Sequence, residues 1–318
     1  MAGSCKRDGC HADLPCLMGE AERSECEHWQ PEEGAPAGQV PLKPAADSVG
    51  VAWNGVAAGV TDLAYLAARG RPRIVGLLGP YDAGKTTFLA IFYSLLLRGG
   101  RVGEDLCAGS YTLAGWEGIA RYMRWTRGRQ ATFPPHTSSY ATRQPGLLHL
   151  ALRVGHRLDD VFFTDAPGEW FTEWARAEGS GAAEGARWIA QRADLLMIFV
   201  DTARLADSQT RGEARSQYQL LVERCASVAR DRPVVMIRTK SDVSLPEAVT
   251  SFLHQRQVAY LPVATWHDVT KDRPDDLFNA MASAIDLAVR PAPKREAHHE
   301  LFPVTTPADA FLAFRGSP

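Results

Sequence analysis

The chain is short of several things, and each shortage excludes a class of protein. It has no excess of charge of one sign: 35 basic and 37 acidic side chains among 318 residues leave a formal net charge of −2. Bulk nucleic-acid binding needs a basic footprint, so no nucleic-acid partner is expected. The opening "MAGSCKRDGC" has no apolar h-region, so no secretory signal is expected and a cytoplasmic location follows as the reading. No internal repeat is evident. A clean membrane span is also missing, because the one tempting stretch, "VGVAWNGVAAGVTDLAYLAA", is interrupted by Asn54, Asp62 and glycines. Its apolar residues Val49, Trp53, Val56, Val60, Leu63 and Ala67 recur at steps of four and three. That spacing predicts a helix packed on the domain or on a partner, not a span.

Cysteine is scarce and unevenly placed. Four of the six lie in the first 26 residues, as Cys5, Cys10, Cys16 and Cys26, spaced C-x4-C-x5-C-x9-C. A segment of residues 1–30 cannot bury a core unaided. Four thiolates suit tetrahedral Zn²⁺, and a reducing compartment would keep them available; two disulfides, or no joint role, are the alternatives. His11 and His28 are substitute ligands. Cys107 and Cys225 stand alone and are expected to be buried as small apolar side chains. The stretch "QPEEGAPAGQVPLKPAAD" then reads as an extended linker, with residues 31–46 its span.

Residues 47–291 carry the domain. Apolar runs near 73–78, 147–154, 159–164, 195–200, 233–238 and 258–263 alternate with helical patterns at 85–98, 211–230, 246–256 and 275–290. This is an α/β pattern: a mostly parallel sheet with helices on both faces. An insert at about 99–135 and a tail at 292–318, containing "ADAFLAF", complete the chain.

Between the first strand and the first helix stands "GPYDAGKTTF", which meets G-x-x-x-x-G-K-[ST] at Gly79, Gly84, Lys85 and Thr86. A chain of this length would show the pattern by accident about once in a hundred trials. The strand before it and the helix after it are the required context. Glycines let backbone N–H groups wrap an anion, Lys85 supplies a mobile cation and the Thr86 hydroxyl is an Mg²⁺ ligand. Asp82, Ala83 and Thr87 complete the loop's nucleotide-binding set. Three further motifs each close a predicted strand. Asp165-Ala166-Pro167-Gly168 offers a carboxylate for Mg²⁺ and a glycine N–H for a terminal phosphate. Thr239-Lys240-Ser241-Asp242 offers a carboxylate for the adjacent N–H donors of guanine. Ala264 and Thr265, after "VAYLP", offer an N–H for the guanine O6.

In this order the motifs resemble the Ras-like and translation-factor class of P-loop GTPases. With the N-terminal cysteines, "AGSYTLAGWEG", "FPPHTSSY" and "TDAPGEW", the chain is similar more narrowly to bacterial double-GTPase-like proteins of conflict or signalling systems. The resemblance implies a Ras-like G domain, GTP or GDP and Mg²⁺ as ligands, and a switch governed by the γ-phosphate. It implies a switch I hydroxyl on Mg²⁺, for which Thr137 is the candidate and Ser138 or Ser139 the runner-up. Glu169 stands where many relatives carry the glutamine that orients the attacking water. Its charge implies slow intrinsic hydrolysis and a protein partner or activator, with Glu169, Lys85 and Thr137 as the catalytic set. Asp82 stands where potassium-activated relatives hold the cation, which makes K⁺ a candidate cofactor. Arg121, Arg124, Arg127 and Arg129 of the insert form an arginine finger, a docking face for an acidic partner, or a solvated helix face. The chain departs from the pattern at Thr239, where asparagine is commoner, and in the last motif, which lacks its usual serine. A regulatory GTPase is therefore expected, the alternatives being a nucleotide-binding interaction module and, further off, an ATPase.

Overall fold

The computed structural model describes residues 3–5, 26, 28–31, 56–66, 70–103, 105–127, 130–135, 145–154 and 156–290. The chain divides into two units, Met1–Val51 and Ala52–Pro318. In the first unit, β1 (Gly3–Cys5) pairs antiparallel with β2 (Trp29–Pro31), Cys5 opposite Trp29. The Trp29 N–H donates to the Cys26 carbonyl at 2.9 Å, and Cys26 is buried with a free thiol. This brings the backbones of two of the four expected zinc ligands together. Cys10, Cys16 and residues 32–46 of the expected linker lie outside the described residues, and no group of three or more metal-ligating side chains occurs among the described ones.

The second unit is built on one sheet. Its strands are β3 (Arg73–Leu78), β4 (Leu106–Gly109), β5 (Gly146–Val154), β6 (Arg157–Asp165), β7 (Leu195–Asp201), β8 (Val234–Thr239) and β9 (Thr265–Asp268). Their order across the sheet is β4-β5-β6-β3-β7-β8-β9. From β6 to β9 all neighbours are parallel, whereas β5 and β4 are added antiparallel at one edge. The central strands β3, β7 and β8 are mainly apolar because both their faces are covered. In β7, Leu195, Met197 and Phe199 point to one core and Leu196, Ile198 and Val200 to the other, all buried. The first core is closed by α2 (Lys85–Leu97), α3 (Leu113–Ala120) and α9 (Pro274–Val289). The second is closed by α4 (Gly168–Arg176), α5 (Glu184–Arg192), α7 (Arg211–Ala229) and α8 (Glu247–Tyr260). Each large apolar side chain so buried contributes about 1.5–3 kcal/mol before conformational entropy is subtracted.

Three expectations are corrected. Residues around Ala58 are not part of a helix running from Val49 to Ala67. Ala58 forms a two-bond antiparallel bridge with Leu147, the Asp62 carboxylate accepts the Gly59 N–H at 2.7 Å, and among the described residues of this stretch a 3-10 turn (Val60–Asp62) and α1 (Leu63–Leu66) follow. A glycine that costs a helix about 1 kcal/mol, beside an acid able to take its N–H, explains the break. The apolar run 258–263 is not a strand but the last turn of α8 and the loop after it. Val258, Tyr260 and Val263 are exposed, while the Gln257 amide closes the helix end by donating to the Leu261 carbonyl at 2.6 Å. Cys107 is exposed on β4, while Cys225 is buried as expected. Among the described residues no helix is long and apolar enough to cross a membrane.

The insert is fastened to the sheet by α3. Trp116 is fully buried, stacks on Tyr93 at 5.3 Å and donates its Nε1–H to the His149 carbonyl at 2.8 Å. His149 on β5 is itself buried, with its Nδ1 accepting the Tyr111 N–H at 2.9 Å and its Nε2 facing the Asp160 carboxylate at 2.9 Å. Trp116→Ala removes the ring and its hydrogen bond together. The expected cost is about 3–5 kcal/mol in equilibrium urea unfolding. A loss below about 1 kcal/mol would mean that the insert is not part of the cooperative unit.

Candidate functional site

The parallel strands all end at one edge of the sheet, so the segments following β3, β6, β8 and β9 meet there. The order turns at β3, whose successors lie on both of its sides, and in open α/β sheets this is where crevices form. β3 and β6 are paired only over Arg73–Val75. Beyond that the Leu77 N–H donates to the Thr164 hydroxyl at 2.9 Å, and the two strand ends part. A cavity of about 540 Å³ opens over them.

The loop after β3 forms its floor. Gly79 is required by contact, since a Cβ there would stand 2.8 Å from the Phe199 Cβ. Gly84 caps α2 with φ +82°, in the left-handed region that glycine enters at no steric cost. Lys85 is buried and donates to the Gly79 and Pro80 carbonyls at 2.9 and 3.0 Å, with the Phe171 ring 5.6 Å away. Burial lowers its pKa to about 8, against the raising influence of Asp165, Glu169 and Asp82. The Thr86 hydroxyl donates to Asp165 Oδ1 at 2.8 Å, so the two expected Mg²⁺ ligands are neighbours. Thr87 and Ala83 line the same cavity. Gly168 closes on the loop from the side, where a Cβ would stand 2.2 Å from the Tyr81 nitrogen.

The far wall comes from β8 and β9. The Thr239 hydroxyl is within hydrogen-bond distance of the Ala83 and Val200 carbonyls, 3.1 and 3.2 Å. Lys240, at φ +53°, donates to Asp201 Oδ2 at 2.8 Å and to the Asp82 carbonyl and Oδ2 at 3.1 and 3.2 Å. Asp242 lines the cavity and accepts the Thr270 hydroxyl on Oδ1 at 2.9 Å. The Ser241 N–H donates to the Val269 carbonyl at 3.2 Å.

Three expected residues are elsewhere. Because the last strand is β9 and not 258–263, Ala264 and Thr265 stand where it begins, at the end away from the cavity. The segment that reaches the cavity from β9 is Val269-Thr270-Lys271. Glu169 is exposed in the first turn of α4 and lines a neighbouring cleft with Tyr81 and Asp82 of the phosphate loop and with Glu173, Arg176 and Arg204, not the main cavity. Thr137, Ser138, Ser139 and Arg129 lie outside the described residues. Of the "FPPHTSSY" segment, Phe133, Pro134 and Pro135 line the cavity, and Phe133 is exposed at its mouth. Among the described residues no arginine lines it: Arg124 is paired with Glu117 at 2.6 Å, and Arg121 lies over the Tyr122 ring.

Sequence reasoning missed Phe133, Asp201, Thr270 and Lys271. Asp201 had a visible sign, an acid ending the apolar run "LLMIFVD". The others depended on placing the last strand and the insert.

Among solved structures, the chain is similar to Methanosarcina barkeri Roco2 RocCORdC bound to GDP, at 16% sequence identity and a TM-score of 0.35. That similarity covers 68% of this chain and 48% of the other, so the chain spans about half the length of that protein. No curated protein matches. Residues 73–289, more than half of the chain and all of the sheet and helices around the cavity from β3 onward, match the family described as Double-GTPase 2. The chain belongs to the Double-GTPase 2 family, and so to the P-loop GTPases.

Proposed function

We propose that this chain is a Mg²⁺-dependent regulatory switch that binds GTP through Asp242 and hydrolyses it slowly. The observation that carries the reading is the carboxylate of Asp242, held by the Thr270 hydroxyl on the cavity wall opposite the phosphate loop. A carboxylate fixed there accepts from two adjacent donors, which guanine offers and adenine does not. Lys271 takes over the place expected for Ala264, its backbone N–H being the candidate for the O6 contact. Phe133 adds an exposed aromatic face at the mouth.

The phosphate end is supported by the loop's positive-φ glycine, the α2 N-terminus and Lys85. Thr86 and Asp165 would hold Mg²⁺, since their oxygens already meet and both are hard ligands. When bound, the ion supplies neutralisation of phosphate charge. Lys85 would exchange the carbonyls of Gly79 and Pro80 for phosphate oxygens. Gly168 and α4, seated against the loop, form the element that a γ-phosphate would displace. A switch I hydroxyl from Thr137, a zinc bound by Cys5, Cys10, Cys16 and Cys26, and a protein partner belong to the same reading. The Asp82 carboxylate is engaged by Lys240 here, which supports hydrolysis without a K⁺ requirement. The second reading, a nucleotide-binding interaction module that scarcely hydrolyses, is favoured by the outward position of Glu169.

Asp242→Asn is expected to weaken GDP and GTP binding by about 1.5–3 kcal/mol and to shift preference toward xanthosine nucleotides, as titration calorimetry would report. Equal affinity of the unaltered chain for ATP and GTP would overturn the guanine reading.

Lys85 gives the site a pH dependence. Its pKa is lowered to about 8 in the protein, and a bound phosphate would hold it charged. Above pH 8 the free protein has lost this proton and the complex has regained it, so binding takes up a proton. Nucleotide affinity should therefore fall as pH rises through about 8, by up to about tenfold per pH unit. Calorimetry at pH 8.5 (about half a unit above that pKa) in buffers of different ionisation enthalpy measures the uptake. No uptake would mean that Lys85 does not meet the phosphates.

Glu169 faces the outer cleft, so Glu169→Ala should leave single-turnover hydrolysis within about twofold of the unaltered rate. A loss of tenfold or more, roughly 1.4 kcal/mol, would put Glu169 on the attacking water.

A further inference from the structure

The end of β7 carries an acid that none of the sequence motifs includes. Asp201 is buried, its side chain 2% exposed, and both of its oxygens are used. Oδ1 accepts the N–H groups of Ala203 and Arg204 at 2.9 and 3.2 Å, capping α6 (Thr202–Ala206). Oδ2 accepts from the Lys240 ammonium at 2.8 Å. Asp201 is paired in register with Thr239, the last residue of β8, so Lys240 follows directly after the strand, and its φ of +53° is a left-handed conformation that side chains rarely adopt. The same ammonium reaches the carbonyl and Oδ2 of Asp82, which is also at positive φ, +59°. Burial works against the charge on Lys240, yet its contacts with Asp201 raise its pKa.

This geometry solves an electrostatic difficulty. Asp82 brings a carboxylate into a loop shaped for an anion, and an unpaired negative charge there repels phosphate. The Lys240 ammonium offsets it, but a lysine side chain that holds one exposed partner alone loses rotamer freedom for little gain. A second, buried acceptor fixes it.

We propose that Asp201 is a positioning residue for nucleotide retention: with Asp82 it holds the Lys240 ammonium as a fixed cation that ties β7 and β8 to the phosphate loop. The proposal rests on the guanine-nucleotide reading above. Asp201→Asn keeps an oxygen for the α6 cap and turns a neutral amide toward the ammonium, so it removes the Lys240 contact selectively. Asp201→Ala removes both.

The test is the release rate of N-methylanthraniloyl-GDP from the full chain in Mg²⁺ buffer, for the unaltered protein, D201N, D201A, K240Q and the D201N/K240Q pair. D201N should release the nucleotide about tenfold faster. In the K240Q background, D201N should add less than about twofold, because the residue it acts through is already gone. D201A, measured alongside, should release at least as fast as D201N, having lost the cap as well. Multiplied effects of D201N and K240Q would mean that Asp201 acts through general stability, and would overturn the proposal. So would a D201N rate equal to that of the unaltered chain. Failure of the unaltered chain to hold this nucleotide while holding an ATP analogue would instead overturn the guanine reading, and the proposal with it.

Discussion

The cavity edge depends on one contact between backbones. Gly168 lies so close to Pro80 and Tyr81 that any side chain there would occupy the same space as the loop. The segment after β6 and the segment after β3 can therefore meet only at a residue without Cβ. From that meeting the rest follows: Asp165, three residues earlier, is brought to the Thr86 hydroxyl, and α4 starts at the loop and carries Phe171 to within reach of Lys85.

A second set of ties acts from the opposite wall and is polar. Thr239 and Lys240 hold the carbonyls of Ala83 and Asp82, while on the β6 side Gly168 touches the loop and the Asp165 carboxylate accepts the Thr86 hydroxyl.

Much of this was legible in the sequence because it is local. The phosphate loop, its strand and its helix are one continuous stretch, and β3, β7 and β8 carry apolar runs since both their faces are buried. What was not legible is what the third dimension decides. The run near 258–263 has the composition of a strand, yet Val258, Tyr260 and Val263 face water on α8 and its loop while Leu261 packs into the core, and the short "TWHD" is the strand because β8 lies beside it. With that strand moved, the candidate for the last motif moves from Ala264 and Thr265 to Thr270 and Lys271. The Gly59–Asp62 cap, likewise, outweighed a helical periodicity that was real in the sequence. Asp201 belongs to none of the sequence motifs, and its three hydrogen bonds come from residues on either side of a strand pairing.

The sheet's two borders have a bearing on how the molecule behaves in a crowd. Its outermost strands, β4 and β9, are only four residues each, and the register of β4 shifts between Cys107 and Gly109. Short or irregular borders offer a poor template for another chain's strand, whereas the long apolar strands that would be hazardous lie in the middle. The two shortest strands of the sheet therefore stand at the only places where another chain's strand could add to it.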